Sequence, residues 1–146
     1  MSKIKVEYLH LCDAANVDNF GKINILGIFT KMYVSKVPNV SPKFTVVGNL
    51  IFDHVIKDRL KVEIKFYNPS KKEVELTKEI KTEIDLPEVT QKSVGNLYII
   101  LDILNLKLNE FGDYKVSLFV DNVEVDSITF NVEQRKENLK QWQCFL

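Results

Sequence analysis

The sequence predicts an all-β domain, an antiparallel two-sheet sandwich of about eight short strands. Three observations carry this expectation. Apolar and polar residues alternate with period two in one segment after another, the mark of strands with one buried face. Turn-forming residues separate these segments at short intervals. Before residue 133 no sustained 3.6-residue period supplies the helices needed to cross between parallel strands.

In chain order, Ile4, Val6 and Tyr8 alternate with Lys3, Lys5 and Glu7, which reads as a first strand with the three apolar residues on one face. Ile23 to Val34 carries Ile25, Leu26, Ile28 and Phe29, and Phe44 to Phe52 carries Val46, Val47, Leu50 and Ile51. Both runs are apolar on two faces, as expected of central strands covered on both sides. Gly27 and Gly48 interrupt them where a bulge or a close backbone approach is expected. Asp53 to Arg59 reads as a polar hairpin loop. Leu60, Val62, Ile64 and Phe66 against Lys61, Glu63 and Lys65 form the clearest strand.

Asn68-Pro69-Ser70-Lys71-Lys72 is a turn, since Pro69 presets the φ of one turn position, and a fifth strand is expected at Glu73 to Thr77. Ile80, Ile84 and Leu86 mark an extended edge segment that Pro87 closes. From Leu97 to Leu108 the apolar set moves from Leu97, Ile99, Leu101 and Ile103 to Leu104, Leu106 and Leu108, which predicts a bulge residue between Asp102 and Asn105. Tyr114, Val116, Leu118 and Val120 alternate with Lys115, Ser117 and Phe119. Asp121-Asn122 then forms a two-residue hairpin, because both residue types tolerate positive φ. A slip between Val125 and Ile128 predicts a second bulge at Asp126 and Ser127.

Glu110-Phe111-Gly112-Asp113-Tyr114 resembles the tyrosine corner of immunoglobulin-like sandwiches, with Glu110 where Asp is usual. The competing reading is a turn followed by an ordinary strand tyrosine. Neither a suitably placed Cys pair nor a mid-chain Trp points to an antibody-type domain.

With 146 residues, the chain is expected to form one sandwich domain over residues 1–132 and a tail over 133–146. A chain of this size buries about 68–70% of its unfolded surface and needs no staples. Twenty basic and twenty acidic residues cancel, so neither nucleic acid nor an anionic membrane is expected as a partner, since both require clustered Lys and Arg. Charges break the apolar run that a secretory signal would need near the start, and Asp102 cuts the run Leu97 to Leu101 well short of the roughly 18 residues that span a bilayer. A cytoplasmic location is therefore expected. Cys12 and Cys144 stand near opposite ends and suit free thiols at least as well as one bridge.

His10, Cys12 and Asp13 are the densest group of candidate metal ligands, because His10 and Cys12 share one face of a strand. The simpler reading makes Cys12 a small buried hydrophobe, His10 a satisfied polar group and Asp13 a turn residue. Asp53, His54 and Asp58 form another polar group, read as a solvated loop. Asp13, Asp18, Asp113, Asp121 and Asp126 are loop carboxylates of the kind that gather Ca²⁺, but acidic loop residues more often serve turns. No nucleophile-elbow, phosphate-loop, dinucleotide or zinc-protease motif is present. The sequence therefore assigns no catalytic residue and no cofactor.

The tail offers the strongest partner signal. After a polar stretch from Glu133 to Lys140, it ends in large apolar groups that include the chain's one Trp. In a helical conformation Leu139, Trp142, Phe145 and Leu146 share one face, which would anchor in a partner's groove, in a second copy, or on the domain itself.

Tyr8-Leu9-His10-Leu11-Cys12-Asp13-Ala14-Ala15 and Gly21-Lys22-Ile23-Asn24-Ile25-Leu26-Gly27-Ile28-Phe29 together resemble the opening of a family of small uncharacterised bacterial β-sandwich proteins. The resemblance continues through Val37-Pro38, Pro42-Lys43-Phe44, the Leu60 to Tyr67 strand, Gly112-Asp113-Tyr114, and Asp121 to Val132. It implies a bacterial sandwich of unknown function and brings no catalytic or binding residue with it. The expected role is a non-enzymatic protein-interaction or scaffolding module. The alternative is a small-ligand or metal-binding sandwich, and the third reading is an unrecognised hydrolase.

Overall fold

The computed structural model describes residues 3–53, 58–76, 78–85 and 94–135. His54, Thr77, Leu86, Pro87, Cys144 and the proposed tail anchors Leu139, Trp142, Phe145 and Leu146 lie outside them. The described residues are all-β and contain no helix. Twelve strands run in order: β1 (Lys3–Cys12), β2 (Ala14–Val17), β3 (Ile23–Leu26), β4 (Lys31–Val34), β5 (Asn39–Val40), β6 (Phe44–Asp53), β7 (Arg59–Tyr67), β8 (Ile80–Asp85), β9 (Val94–Ile103), β10 (Lys107–Leu108), β11 (Gly112–Val120) and β12 (Val123–Gln134).

They form a three-stranded sheet β1-β6-β9, a five-stranded sheet β4-β12-β11-β7-β8, and the two-stranded pairs β2-β3 and β10-β5. One hydrophobic cluster joins the two larger sheets. Leu9, Leu11, Val46, Leu50 and Phe52 come from one side, and Val62, Ile64, Val116, Leu118 and Phe130 from the other. Phe44 of β6 sits at the centre, edge-on to Phe66 at 6.1 Å and tilted against Phe130 at 6.2 Å. Full burial of each such side chain stabilises the fold by roughly 1.5–3 kcal/mol.

Twelve strands among the described residues replace the expected eight, partly because two segments break where side-chain patterning alone reads as continuous. The run Ile23 to Val34 is not a central strand. Gly27 takes φ +71, a left-handed conformation open to Gly, and divides it into β3 and β4. A side chain there would also overlap the Asp13 carboxylate. The apolar shift after Ile103 is a break as well, since β9 pairs with β6 in unbroken register from Val94 to Ile103. Asn105 then turns the chain at φ +54, and Leu106 and Leu108 return to the core beside β5. The expected fifth strand reduces to a single bridge between Glu73 and Tyr67.

The pairing is not wholly antiparallel. β4 lies parallel to β12, because the chain leaves one sheet and joins the other within two residues. The Phe29 N–H donates to the Leu11 carbonyl in β1, and the Thr30 carbonyl accepts from the Asn131 N–H in β12, both at 2.9 Å.

β1 carries a bulge between Val6 and Tyr8. Ile4 and Val6 pack against the core, but Tyr8 turns to the outer face and Leu9 and Leu11 take over the inner one. Gly48 lies opposite, where a Cβ would stand 3.1 Å from the Tyr8 carbonyl. β12 does carry a bulge, one position before the expected Asp126 and Ser127, which themselves pair in regular register. Leu118 pairs with Asp126 and Phe119 with Glu124, leaving Val125 as the extra residue. Asp121 and Asn122 both adopt positive φ, +48 and +67, the geometry of a primed hairpin turn. The buried Tyr114 donates its hydroxyl to the Glu110 carbonyl at 2.8 Å, the hydrogen bond of a tyrosine corner.

Candidate interaction surface

Among the described residues the two most exposed large apolar side chains, Phe20 and Leu26, belong to the β2–β3 hairpin. Ala14 to Val17 pairs with Leu26 to Ile23, and the Asp18 side chain organises the intervening turn. Its carboxylate accepts from the Phe20 N–H at 2.8 Å and the Lys22 N–H at 2.9 Å. The backbone adds Asp18 N–H to Lys22 carbonyl at 2.8 Å and Gly21 N–H to Asp18 carbonyl at 3.1 Å. Gly21 supplies the φ +78 that the turn requires. The result is a fixed tip that holds Phe20 87% exposed, with Leu26 69% and Val17 43% exposed on the strands below.

An isolated two-stranded hairpin is marginal in water, and this one is rooted at its base. The Asp13 N–H donates to the carbonyls of Leu26 and Gly27 at 3.0 and 3.1 Å. Across the strands Asn24 donates to the Asn16 side chain at 3.1 Å.

Beside the hairpin base, Ile28 is 55% exposed and borders an open cleft of about 330 Å³. Leu9, His10 and Leu11 of β1 form one wall, Ser127, Ile128 and Thr129 of β12 the other, and Ile28 to Thr30 bridge them. The cleft lies where the edges of the two larger sheets approach, since β4 covers β12 only from Asn131 to Gln134.

The residues that the sequence singled out serve local structure here. His10 lines the cleft and stacks on Tyr8, with centroids 5.6 Å apart. Cys12 is a free, fully buried cysteine whose Sγ lies 3.5 Å from the Ala14 carbonyl and 3.6 Å from that of Thr45. Burial pushes its thiol pKa up, and the charge of Asp13 pushes it further, so at neutral pH it stays protonated and is a poor ligand or nucleophile. Among the described residues no three His, Cys, Asp or Glu side chains gather as a metal would require. The calcium candidates hold turns and strands: Asp18 caps the hairpin, Asp113 accepts from Asn131 at 2.8 Å, Asp121 accepts from the Lys61 N–H at 3.1 Å, and Asp126 accepts from the Ser127 N–H at 2.8 Å.

Sequence patterning missed the hairpin because an exposed apolar strand and a buried one have the same composition. The available signal was local, a polar Asn16 to Lys22 segment with turn-forming Asp18, Asn19 and Gly21 set around a lone phenylalanine.

The model of a family of unknown function, DUF6941, matches residues 7–133 of this chain. The chain belongs to that family. The DUF6941 match spans the hairpin, the cleft and every strand from β2 to β11. No curated protein matches the chain. Among solved structures it is similar to Pseudomonas fluorescens alkylpurine DNA glycosylase AlkC bound to DNA containing an abasic site analog, with TM-score 0.47 and 9% identity over 88% of this chain. It is likewise similar to the Listeria innocua β-glucosidase in complex with isofagomine, TM-score 0.49, 10% identity over 90% of this chain. A Bifidobacterium adolescentis GH3 β-glucosidase gives TM-score 0.46 and 12% identity over 98%. The chain spans 30% of the glycosylase and 16% and 19% of the two glucosidases. At these scores the likenesses carry no argument about activity.

Proposed function

We propose that this DUF6941 chain is a non-enzymatic protein-interaction module of the bacterial cytoplasm, an immunoglobulin-like sandwich that presents the β2–β3 hairpin to a protein partner. The observation that carries this reading is Phe20, 87% exposed at the tip of a turn braced by two hydrogen bonds to the Asp18 carboxylate. An aromatic side chain so placed enters a partner's apolar pocket at little conformational cost, and the exposed Leu26 and Ile28 add apolar surface at the hairpin base. The sandwich reading draws on the core shared by the two larger sheets, and its immunoglobulin-like character on the Tyr114–Glu110 hydrogen bond.

Phe20→Ser tests the proposal. It touches no core residue, so the melting temperature should hold to within about 0.5 kcal/mol of stability. Partners cross-linked to the wild-type chain in its native cells should be lost from the variant. Recovery of the same partners in the same yield would defeat the reading. The tail residues Leu139, Trp142, Phe145 and Leu146 remain a second proposed contact, tested by truncation after Arg135.

One observation favours a second reading, a small apolar ligand in the cleft beside His10. Its volume of about 330 Å³ lies at the lower end of ligand pockets. A ligand held there would raise the melting temperature by mass action.

A further inference from the structure

We propose that the outer edge of β9 pairs with the β9 of a second copy, antiparallel about a twofold axis at Ile99, joining two three-stranded sheets into one of six strands. This surface is separate from the hairpin, and the proposal goes beyond the partner reading above.

The sheet edges differ in how they are guarded. Unpaired strand edges invite other strands, and proteins blunt them with charges, bulges, prolines or brevity. β8 presents Lys81, Glu83 and Asp85, two of them engaged by Arg59 at 3.2 and 2.9 Å. β4 is four residues long. β1 has Lys5 and the bulge before Tyr8, and the Leu11–Phe29 bridge covers its end. The part of β12 beyond β4 carries Glu124, Asp126 and the Val125 bulge. β9 has none of these devices. It runs for ten residues in unbroken register against β6, without Lys, Arg or Pro, and its one charge is Asp102. Among the described residues no strand pairs with its outer edge.

The edge is also complementary to itself. Val94 at the start of β9 and Leu104 one residue past its end are each 63% exposed. A twofold axis at Ile99 places Val94 of one copy opposite Leu104 of the other, Asn96 opposite Asp102, and Tyr98 opposite Ile100. Apolar meets apolar, an amide meets a carboxylate, and no like charges face each other. Moving the axis to Tyr98 sets Asp102 against Val94, and moving it to Ile100 carries Val94 past the end of the pairing. An axis between two residues would oppose inner-face to outer-face side chains.

Sedimentation of the full chain from micromolar to millimolar concentration should show a reversible dimer. Tyr98→Lys combined with Ile100→Lys sets lysine against lysine at two positions and should weaken it roughly tenfold or more, whereas Phe20→Ser should leave it intact. In a Cys144→Ser background, Asn96→Cys mixed with Asp102→Cys should form a disulfide-linked dimer, and neither chain should do so alone. This arm decides the matter if the double-lysine variant does not fold. A chain monomeric at every concentration, a dimer unaffected by the folded double-lysine variant, or self-linking of Asn96→Cys alone would overturn the proposal.

Discussion

Two tyrosines show how the same side chain is used in opposite ways. The Tyr114 hydroxyl donates to the Glu110 carbonyl at 2.8 Å and stands 3.4 Å from the Glu110 N–H, whereas the buried Tyr8 hydroxyl has no hydrogen-bond partner among the described residues. Tyr114→Phe should therefore cost about 1–3 kcal/mol by stranding a backbone group, and Tyr8→Phe should be neutral or stabilising by up to about 1 kcal/mol. Urea titration of the two variants checks both signs. Cys12 gives a third prediction at this scale. Its raised thiol pKa means that the unfolded chain loses this proton first, near an ordinary value of about 8.5, so the unfolded state binds fewer protons as pH climbs. The thiol's contribution is fully present below that pH and is lost as pH rises toward the higher folded value. In a Cys144→Ser chain, alkylation of Cys12 should be slow at neutral pH and become fast on addition of denaturant. Rapid modification of the native protein at neutral pH would contradict the burial. The Tyr114 contact with Glu110 and the paired positive-φ residues were legible in the sequence because each is encoded within a few neighbouring positions. The orphaned Tyr8 hydroxyl was not, because the bulge that turns it outward arises against Gly48 on another strand.

At the level of elements, strands whose period-two pattern is uninterrupted were read correctly, β7 and β11 most clearly, and β6 was rightly taken as buried on both faces. Segments decided by one backbone angle were misread. Gly27 and Asn105 each convert an expected strand or bulge into a break, and an apolar phase shift looks the same in either case. The β4–β12 pairing could not be read at all, since it depends on residues about a hundred positions apart. The hairpin at Asp121-Asn122 offers a test of element-level reasoning. Asn122 holds φ +67, which Gly adopts without penalty, so Asn122→Gly should raise stability by roughly 0.3–1 kcal/mol. Asp121→Gly should lower it, because the Asp121 carboxylate accepts from the Lys61 N–H at 3.1 Å and ties the hairpin to β7. Thermal melts that rank the two the other way would show that φ preference alone governs this turn.

Over the whole molecule, the core and the exposed surface divide the work. Phe44, Phe66, Phe130 and Tyr114 join the two larger sheets, while the hairpin and the β9 edge expend apolar side chains on solvent. The candidate ligands His10, Cys12 and Asp13 were visible in the sequence, and so was the simpler reading of Cys12 as a small buried hydrophobe; the stacking of His10 on Tyr8 and the place of Asp13 against the Gly27 turn were not, since they depend on the local course of the chain and on the partners of β1. Phe20 went unnoticed for the complementary reason, that exposure cannot be told from composition. The most direct measurement is photo-cross-linking in the native cells from a benzoylphenylalanine placed at position 20, with position 75 on a separate exposed segment as the control. Discrete adducts with a protein partner are expected from position 20, and none of those adducts from position 75. No adduct from position 20, or the same adducts from both, would contradict the proposed role of Phe20.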